Sequence, residues 1–490
     1  MPVAEHQDVK TLDNFIGGRW VPARATDAFD VHNPALGEVI GRTPLSTTAD
    51  VDAAVQAAAA AYSSWRDTPV NARTQVLYRF KQRLEENFEA LARTVTMEHG
   101  KTLEESRGSV RRGIECVEVA CGAPSLMQGS GLEDISRGVD CHVVRQPLGV
   151  VAAIAPFNFP AMVPMWFLPF AIACGNTFVL KPSEQVPLSQ RMMVDLLQQC
   201  DLPAGVVNLV NGGVDVVNAL CDHPGIRAVS FVGSTPVARH VYRRAAQTGK
   251  RVQALGGAKN FVVVMPDADF ERSIAVIGES FYGCAGERCL AGSMLVPVGD
   301  AHREARDRIV AQAKSLKVGD GLQTGVTMGP LISATHRDRV RAYIGTGAAE
   351  GAKLLLDGRQ IQVADRPNGY WVGPTVFDEV SPKMTIGHEE IFGPVASICP
   401  VKTLEEAIAL MQQHPNANAT SIFTSSGKSA REFAKHATAS MVGVNIGVAA
   451  PMAYFPFGGA KDSFFGDLKA HGRDGIEFYT DKKVTISRWF

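Results

Sequence analysis

No run of like charges interrupts this chain, and its formal net charge is −1, so nothing in it forms an electrostatic footprint for nucleic acid or an anionic lipid surface. It has no phosphate loop ending in Gly-Lys-Ser/Thr and no Cys/His cluster at metal-ligand spacing. Cys284 and Cys289 alone cannot make a zinc site, and His388-Glu389-Glu390-Ile391-Phe392 begins like a zinc-protease helix but lacks the second histidine. Nine cysteines, an odd number without tight pairing, argue for a reducing compartment and against a disulfide framework. Met1 to Lys10 is polar, with neither the apolar core of a signal peptide nor the arginine-rich run of an import peptide. The expectation is a cytoplasmic protein with no metal centre, no nucleic-acid partner and no membrane partner.

A long uninterrupted apolar run is also missing. Val150 to Leu180 comes nearest, but it contains Pro156, Pro160, Pro164 and Pro169 with Asn158, Gly175 and Asn176. A membrane span needs ~20 apolar residues in one hydrogen-bonded element, and four prolines would break it repeatedly. The stretch reads instead as a buried strand, a proline-rich turn, a short helix and a second strand.

What is present is a globular composition, 46% hydrophobic and 20% charged, in 490 residues, which is too long for one ordinary core and implies two or three domains. Short β-branched runs at 150–154, 177–180, 206–210, 228–232 and 261–264 alternate with helical patterns at 190–199 and 214–221. Such alternation implies a parallel sheet with helices on both faces. Helices are expected before it, over 53–65, 72–88 and 88–118. A second α/β unit follows over roughly 265–455, with a helix near 270–284, a strand near 293–298 and a helix over 303–316. The tail from Phe478 to Trp489 alternates like an edge strand, whose free side a neighbouring subunit can cover.

Four short segments carry chemistry. Cys289 lies in Gly283-Cys284-Ala285-Gly286-Glu287-Arg288-Cys289-Leu290-Ala291-Gly292. A thiol among small residues and next to an arginine is open to substrate and biased toward the thiolate; the alternative is a core cysteine beside glycine and alanine. Pro156-Phe157-Asn158-Phe159-Pro160 follows a strand, so the Asn158 amide is either a preorganised oxyanion donor or a turn-forming asparagine. Lys181-Pro182-Ser183-Glu184 ends the next strand, where ligands of open parallel sheets bind; the pair either grips a ribose or decorates an exposed turn. At Phe231-Val232-Gly233-Ser234-Thr235-Pro236, a strand runs into a helix start whose free N–H groups suit a pyrophosphate, although many ordinary turns look the same.

Taken in order with Glu389-Glu390-Ile391-Phe392-Gly393-Pro394 and Pro456-Phe457-Gly458-Gly459, these segments resemble the aldehyde dehydrogenase superfamily nearly end to end. Within it the chain looks most like the CoA-acylating malonate- and methylmalonate-semialdehyde dehydrogenases. Pro164 to Pro169, Ala173 to Glu184, Gly257-Ala258-Lys259-Asn260 with Val264 to Ala268, and Ser463 to Leu468 carry that finer likeness. The resemblance implies an α/β fold with a Rossmann-type NAD-binding domain (1–126 and 147–260), an α/β catalytic domain (261–455) and a small β oligomerisation element (127–146 and 470–490). It implies NAD as cofactor, CoA as co-substrate, an acidic semialdehyde as substrate, and a homotetramer. By the same resemblance Cys289 is the nucleophile, and Asn158 with the Cys289 N–H forms the oxyanion hole. Lys181 and Glu184 hold the adenine ribose, and Gly233 and Ser234 meet the pyrophosphate. Glu390 holds the nicotinamide ribose, with Phe157 and Phe392 beside the cofactor. Arg112 and Arg288 face the substrate carboxylate, the alternative for Arg112 being a surface helix position beside Arg111.

One departure bears on mechanism. Hydrolytic members carry a glutamate before their Leu-Gly-Gly-Lys segment, where it activates water against the thioester. Here the stretch is Gln253-Ala254-Leu255-Gly256-Gly257-Ala258-Lys259, placing Leu255 or Ala254 at that position. Neither accepts a proton, so a thiol is the better deacylating agent. Glu287 is either a substitute base or a solvated loop carboxylate. A hydrolytic enzyme for another acidic aldehyde, or an inactive scaffold of the same fold, are the alternative readings.

Overall fold

The computed structural model describes residues 9–490, so the reading of the polar amino terminus lies almost wholly outside the described residues. Three sheets organise the chain. The first runs in the order Arg19–Val21, Asn14–Ile16, Val207–Leu209, Thr177–Lys181, Val150–Ile154, Ile226–Val232, Arg251–Leu255, Phe464–Gly466. Its five central strands, from Val207–Leu209 to Arg251–Leu255, are mutually parallel. They stand in the chain order third, second, first, fourth, fifth, so the winding reverses between Val150–Ile154 and Ile226–Val232. An open parallel sheet binds its ligand outside the carboxyl ends of the strands at such a reversal. Asn158 leaves the first of these two strands and Gly233 the second.

Helices cover both faces, because every residue of Val150–Ile154 and Thr177–Lys181 is buried and neither strand has a wet side. Met162–Ala173 packs on one face together with Val110, Ile114 and Val117 of Leu103–Cys121. Thr48–Asp67, Val214–Asp222 and Thr235–Gln247 close the other. The apolar stretch 150–180 is therefore the strand, turn, helix and strand expected of it. Among the described residues no helix is long and apolar enough to cross a membrane.

The helix expected over 88–118 is two helices, Phe88–His99 and Leu103–Cys121. Gly100 ends the first in a left-handed conformation at φ 95°. Thr102 then restarts the chain with a capping box: its side chain accepts from the Glu105 N–H at 3.3 Å, while the Glu105 carboxylate accepts from the Thr102 N–H at 2.8 Å. The second helix carries Glu105, Ser109, Arg112 and Cys116 at near-heptad spacing, so these four share one face.

The second sheet runs Lys353–Leu356, Thr375–Asp378, Val395–Ile398, Gly292–Pro297, Asn260–Val264, Ala419–Phe423, Met441–Val444, parallel except at the first strand. The 261–264 run, read as the fifth strand of the first sheet, belongs here. Arg251–Leu255 takes its place in the first sheet, and its single arginine and glutamine hid it from a β-branched pattern. In the third sheet Thr480–Arg488 pairs antiparallel with Val139–Pro147 and that strand with Ser130–Ser136. The tail is thus an edge strand, with one partner supplied by its own chain.

Candidate active site

The two large sheets meet around Cys289. Helix Phe270–Tyr282 ends in a tight turn over Gly283–Gly286, where Cys284 and Ala285 adopt left-handed backbone at φ 50° and 52°. Non-glycine residues rarely hold that conformation, and such strain persists where the surroundings impose it. The turn delivers Cys289 just before strand Gly292–Pro297. Its carbonyl accepts from two side-chain amides, Asn260 Nδ2 at 2.9 Å and Asn418 Nδ2 at 2.8 Å. Asn260 begins its strand and Asn418 immediately precedes the neighbouring one, so the second sheet pins the backbone of the thiol. Asn418 did not stand out in the sequence and Asn260 did so only as part of the Gly257–Asn260 likeness, since each reads as a loop residue until the strands are paired.

Asn158 is 5% exposed. Its Nδ2 donates to the Glu287 carbonyl at 3.0 Å, and its own carbonyl accepts from Lys101 Nζ at 2.6 Å. One amide hydrogen is committed and the other has no partner among the described residues. Lys101 is buried, lies 3.8 Å over the Phe159 ring, and has its ammonium pushed below the usual range by burial. It was not singled out in the sequence; a lysine after Gly100 looks like any helix terminus.

A cavity of about 600 Å³ opens beside Cys289. Its walls are largely apolar, with Phe159, Met162, Trp166 and Phe457 among them, and the Arg112 face of Leu103–Cys121 forms one side. Arg111, its neighbour, instead pairs with Glu85 on the outside, whereas Arg112 is partly buried and lines the cavity. Arg112 is heavily engaged, however. Nη1 bonds the Glu115 carboxylate at 2.8 Å and Met452 Sδ at 3.1 Å, and Nη2 bonds the carbonyls of Ala450 and Pro451, both at 3.3 Å. Only its Nε–H is left over, so the bidentate fork expected for a carboxylate is not on offer.

Arg288 lines the cavity too but points away from the thiol it was expected to activate. Its Nε donates to Cys284 Sγ at 3.2 Å, and its Nη atoms pair with Glu279 at 2.8 Å and Glu105 at 3.5 Å. Burial and the Glu390 carboxylate push the Cys289 thiol up to about 12, against a smaller downward pull from its backbone N–H and from Arg288. The sequence-level expectation of a thiolate favoured by the adjacent arginine is therefore corrected: desolvation dominates.

Glu287 is also not what either sequence reading expected. It is fully buried, absent from the cavity lining, and accepts from the Ile332 N–H at 3.2 Å. His99 Nε2 at 3.9 Å and His336 Nε2 at 3.5 Å flank it. Burial holds its carboxyl well above the carboxylate range and the His99 imidazole well below its own. Fully buried and outside the cavity that holds Cys289, Glu287 is not a solvated loop carboxylate. Ala254 and Leu255 are both buried side chains of the first sheet.

On the other side of the site, Phe157 and Phe392 meet edge to face at 5.8 Å. Glu390 packs over Gly257, where an added Cβ would push its carboxylate aside. Burial raises the Glu390 carboxyl to about 7, with the Ala258 N–H and Lys259 opposing. Gly233 bonds the Leu255 carbonyl through its N–H at 3.0 Å, and the Phe231 ring leaves no room for a side chain on it. Ser234 caps helix Thr235–Gln247 in an extended conformation without spending its hydroxyl on a cap bond. Lys181 and Glu184 form a 2.8 Å ion pair, and although burial disfavours the Glu184 carboxylate, the lysine more than offsets it and lowers its pKa.

A family model described as the aldehyde dehydrogenase family matches residues 20–485. The chain belongs to the aldehyde dehydrogenase family. This aldehyde dehydrogenase is 51% identical over 481 residues to malonate-semialdehyde dehydrogenase 2 of Geobacillus kaustophilus, covering 98% of this chain and 99% of that one. Its structure is similar to the methylmalonate-semialdehyde dehydrogenase of Oceanimonas doudoroffii, with a TM-score of 0.97, 44% identity, and 98% and 99% of the two chains covered. A provisionally named methylmalonate-semialdehyde dehydrogenase of Sinorhizobium meliloti, solved with NAD, matches at a TM-score of 0.97 and 43% identity over 99% of both chains. Among the described residues of this aldehyde dehydrogenase no group of three or more His, Cys, Asp and Glu side chains could hold a metal ion.

Proposed function

We propose that this aldehyde dehydrogenase oxidises malonate or methylmalonate semialdehyde with NAD and transfers the acyl group to CoA, giving acetyl- or propionyl-CoA after decarboxylation. One observation carries the CoA step: no side chain of Gln253 to Lys259 is a carboxylate, and the nearest acid in sequence to the thiol, Glu287, is fully buried outside the cavity, where burial holds its carboxyl well above the carboxylate range. The malonate- and methylmalonate-semialdehyde dehydrogenases that it matches support the substrate class.

In this reading Cys289 Sγ passes its proton to water in the open cavity as it attacks the aldehyde carbon. The free Asn158 amide hydrogen and the Cys289 N–H stabilise the oxyanion. NAD, when bound, accepts the hydride that converts the adduct to a Cys289 thioester. The residues fit the cofactor: Lys181 and Glu184 suit the adenine ribose, Gly233 and Ser234 the pyrophosphate, and Glu390 the nicotinamide ribose, with Phe157 and Phe392 beside the ring. A 2′-phosphate would meet the Glu184 carboxylate, which favours NAD over NADP. Arg112 holds the substrate carboxylate while Arg288 fixes the loop before Cys289. Carbon dioxide, or bicarbonate after its hydration, leaves as the β-carboxylate electrons delocalise toward the thioester carbonyl, water protonates the resulting enolate at its α-carbon, and the CoA thiolate then displaces Cys289 as a thiolate.

Rapid mixing with malonate semialdehyde and NAD but no CoA should give a burst of about one NADH per active site, then a slow steady rate. Adding CoA should raise the steady rate at least ~10-fold and yield a thioester. A steady rate indifferent to CoA, with only free acid as product, would refute the acylating assignment and leave the hydrolytic reading.

We further propose that residues 1–126 and 147–260 form the NAD-binding domain, 261–455 the catalytic domain, and 127–146 with 470–490 the oligomerisation element. The third sheet exposes Leu132, Ile135, Val144, Val484 and Ile486, an apolar set suited to burial against a second copy in a homotetramer. A monomeric mass by sedimentation would rule this out.

A further inference from the structure

His471 lines the cavity that holds Cys289 and Arg112. It is 3% exposed, and its Nδ1 makes no hydrogen bond of good geometry, although the Phe455 and Ala453 carbonyls lie close to the ring. Its ring packs on Trp166 and Phe457, each at 5.7 Å between centroids, so an otherwise apolar wall carries one unsatisfied polar group. A buried polar group left unpaired is costly and asks for an explanation. The backbone deepens the question. His471 sits at φ 42° and ψ −171°, a region that side-chain-bearing residues seldom occupy, just before the short helix Gly472–Phe478. The chain accepts both strain and an orphan nitrogen to hold an imidazole in the substrate cavity.

Arg112 supplies the reason. With both Nη atoms engaged by Glu115, Met452 and the carbonyls of Ala450 and Pro451, it has one N–H free, and a carboxylate has two oxygens to satisfy. We propose that His471 is a specificity-determining residue, donating an imidazole N–H to the substrate carboxylate held by Arg112. Burial, helped slightly by Arg112 and opposed by the Phe455 and Ala453 carbonyls, holds the imidazole down to about 4, so it is neutral before substrate arrives and adds a donor without adding repulsion toward the guanidinium. Trp166 and Phe457 exclude water from that donor and strengthen its bond to an anion. An aldehyde without a carboxylate gains nothing from it.

The proposal rests on the acid-semialdehyde reading above, and the test separates the two. His471→Gly removes the ring and relieves the backbone, while His471→Asn keeps an amide donor on a residue that tolerates positive φ. Steady-state kinetics on malonate semialdehyde and on propanal, both with NAD and CoA, supply the readout. With His471→Gly, kcat/KM for malonate semialdehyde should fall about 10- to 100-fold, chiefly through KM, with less than about 3-fold change for propanal. His471→Asn should recover much of the loss. Equal losses on both aldehydes, or no recovery by asparagine, would overturn the role of His471 and leave it as packing. A wild-type enzyme with no preference for malonate semialdehyde over propanal would overturn the acid-semialdehyde reading and the proposal with it.

Discussion

Cys289→Ala is expected to abolish NADH formation, first turnover included, with a loss of at least ~10⁴-fold and NAD binding intact. The size follows from the chemistry: without a covalent adduct there is no tetrahedral carbon from which hydride can leave. Cys284 is the control. It lies five residues earlier on the same cavity, but its sulfur is occupied as the acceptor of Arg288 Nε at 3.2 Å, and burial raises its thiol. Cys284→Ala should keep activity within about 5-fold, the change coming from a loosened Arg288. Stopped-flow absorbance of NADH on both variants decides the matter. Comparable losses would mean that the nucleophile is misassigned or that the two thiols act together.

Arg112→Leu is expected to cost malonate semialdehyde about 2–5 kcal/mol of transition-state binding, a drop in kcat/KM of about 30-fold or more. Propanal should suffer less, about 5-fold, through a different route. Arg112 ties down the carbonyls of Ala450 and Pro451 and neutralises Glu115, so leucine also loosens the 450–452 loop at the cavity wall. The ratio of the two substrates isolates the carboxylate contact from that packing effect. Uniform loss on both would make Arg112 structural and place the carboxylate elsewhere in the cavity.

Much of this protein was legible in the residues. The apolar runs at 150–154 and 178–180 require cover on both faces, and their alternation with helical spacing leads to a parallel sheet whatever the tertiary detail. The prolines of 156–169 excluded a membrane span. Motifs in order identified the family, because its chemistry demands a small-residue turn around a thiol and a donor opposite it. Missing acid at 254 and 255 was visible as composition alone.

Tertiary structure decided whatever depends on which groups meet across long sequence separations. The split of the helix at Gly100, the move of 260–264 to the second sheet and the strand at 251–255 turned on capping and pairing, which outweigh local propensity. Electrostatics was least legible. Adjacency of Arg288 and Cys289 suggested activation, yet a side chain two bonds from the backbone is free to turn, and the guanidinium found Cys284, Glu105 and Glu279 instead. Glu287 read as a loop carboxylate, and only folding brought His99 and Ile332 against it and shut out water. His471 carried no sequence signal, because an unpaired nitrogen exists only once the walls around it are built. Sequence names the groups available for chemistry; burial and partner choice, set by the fold, determine their charge and their work.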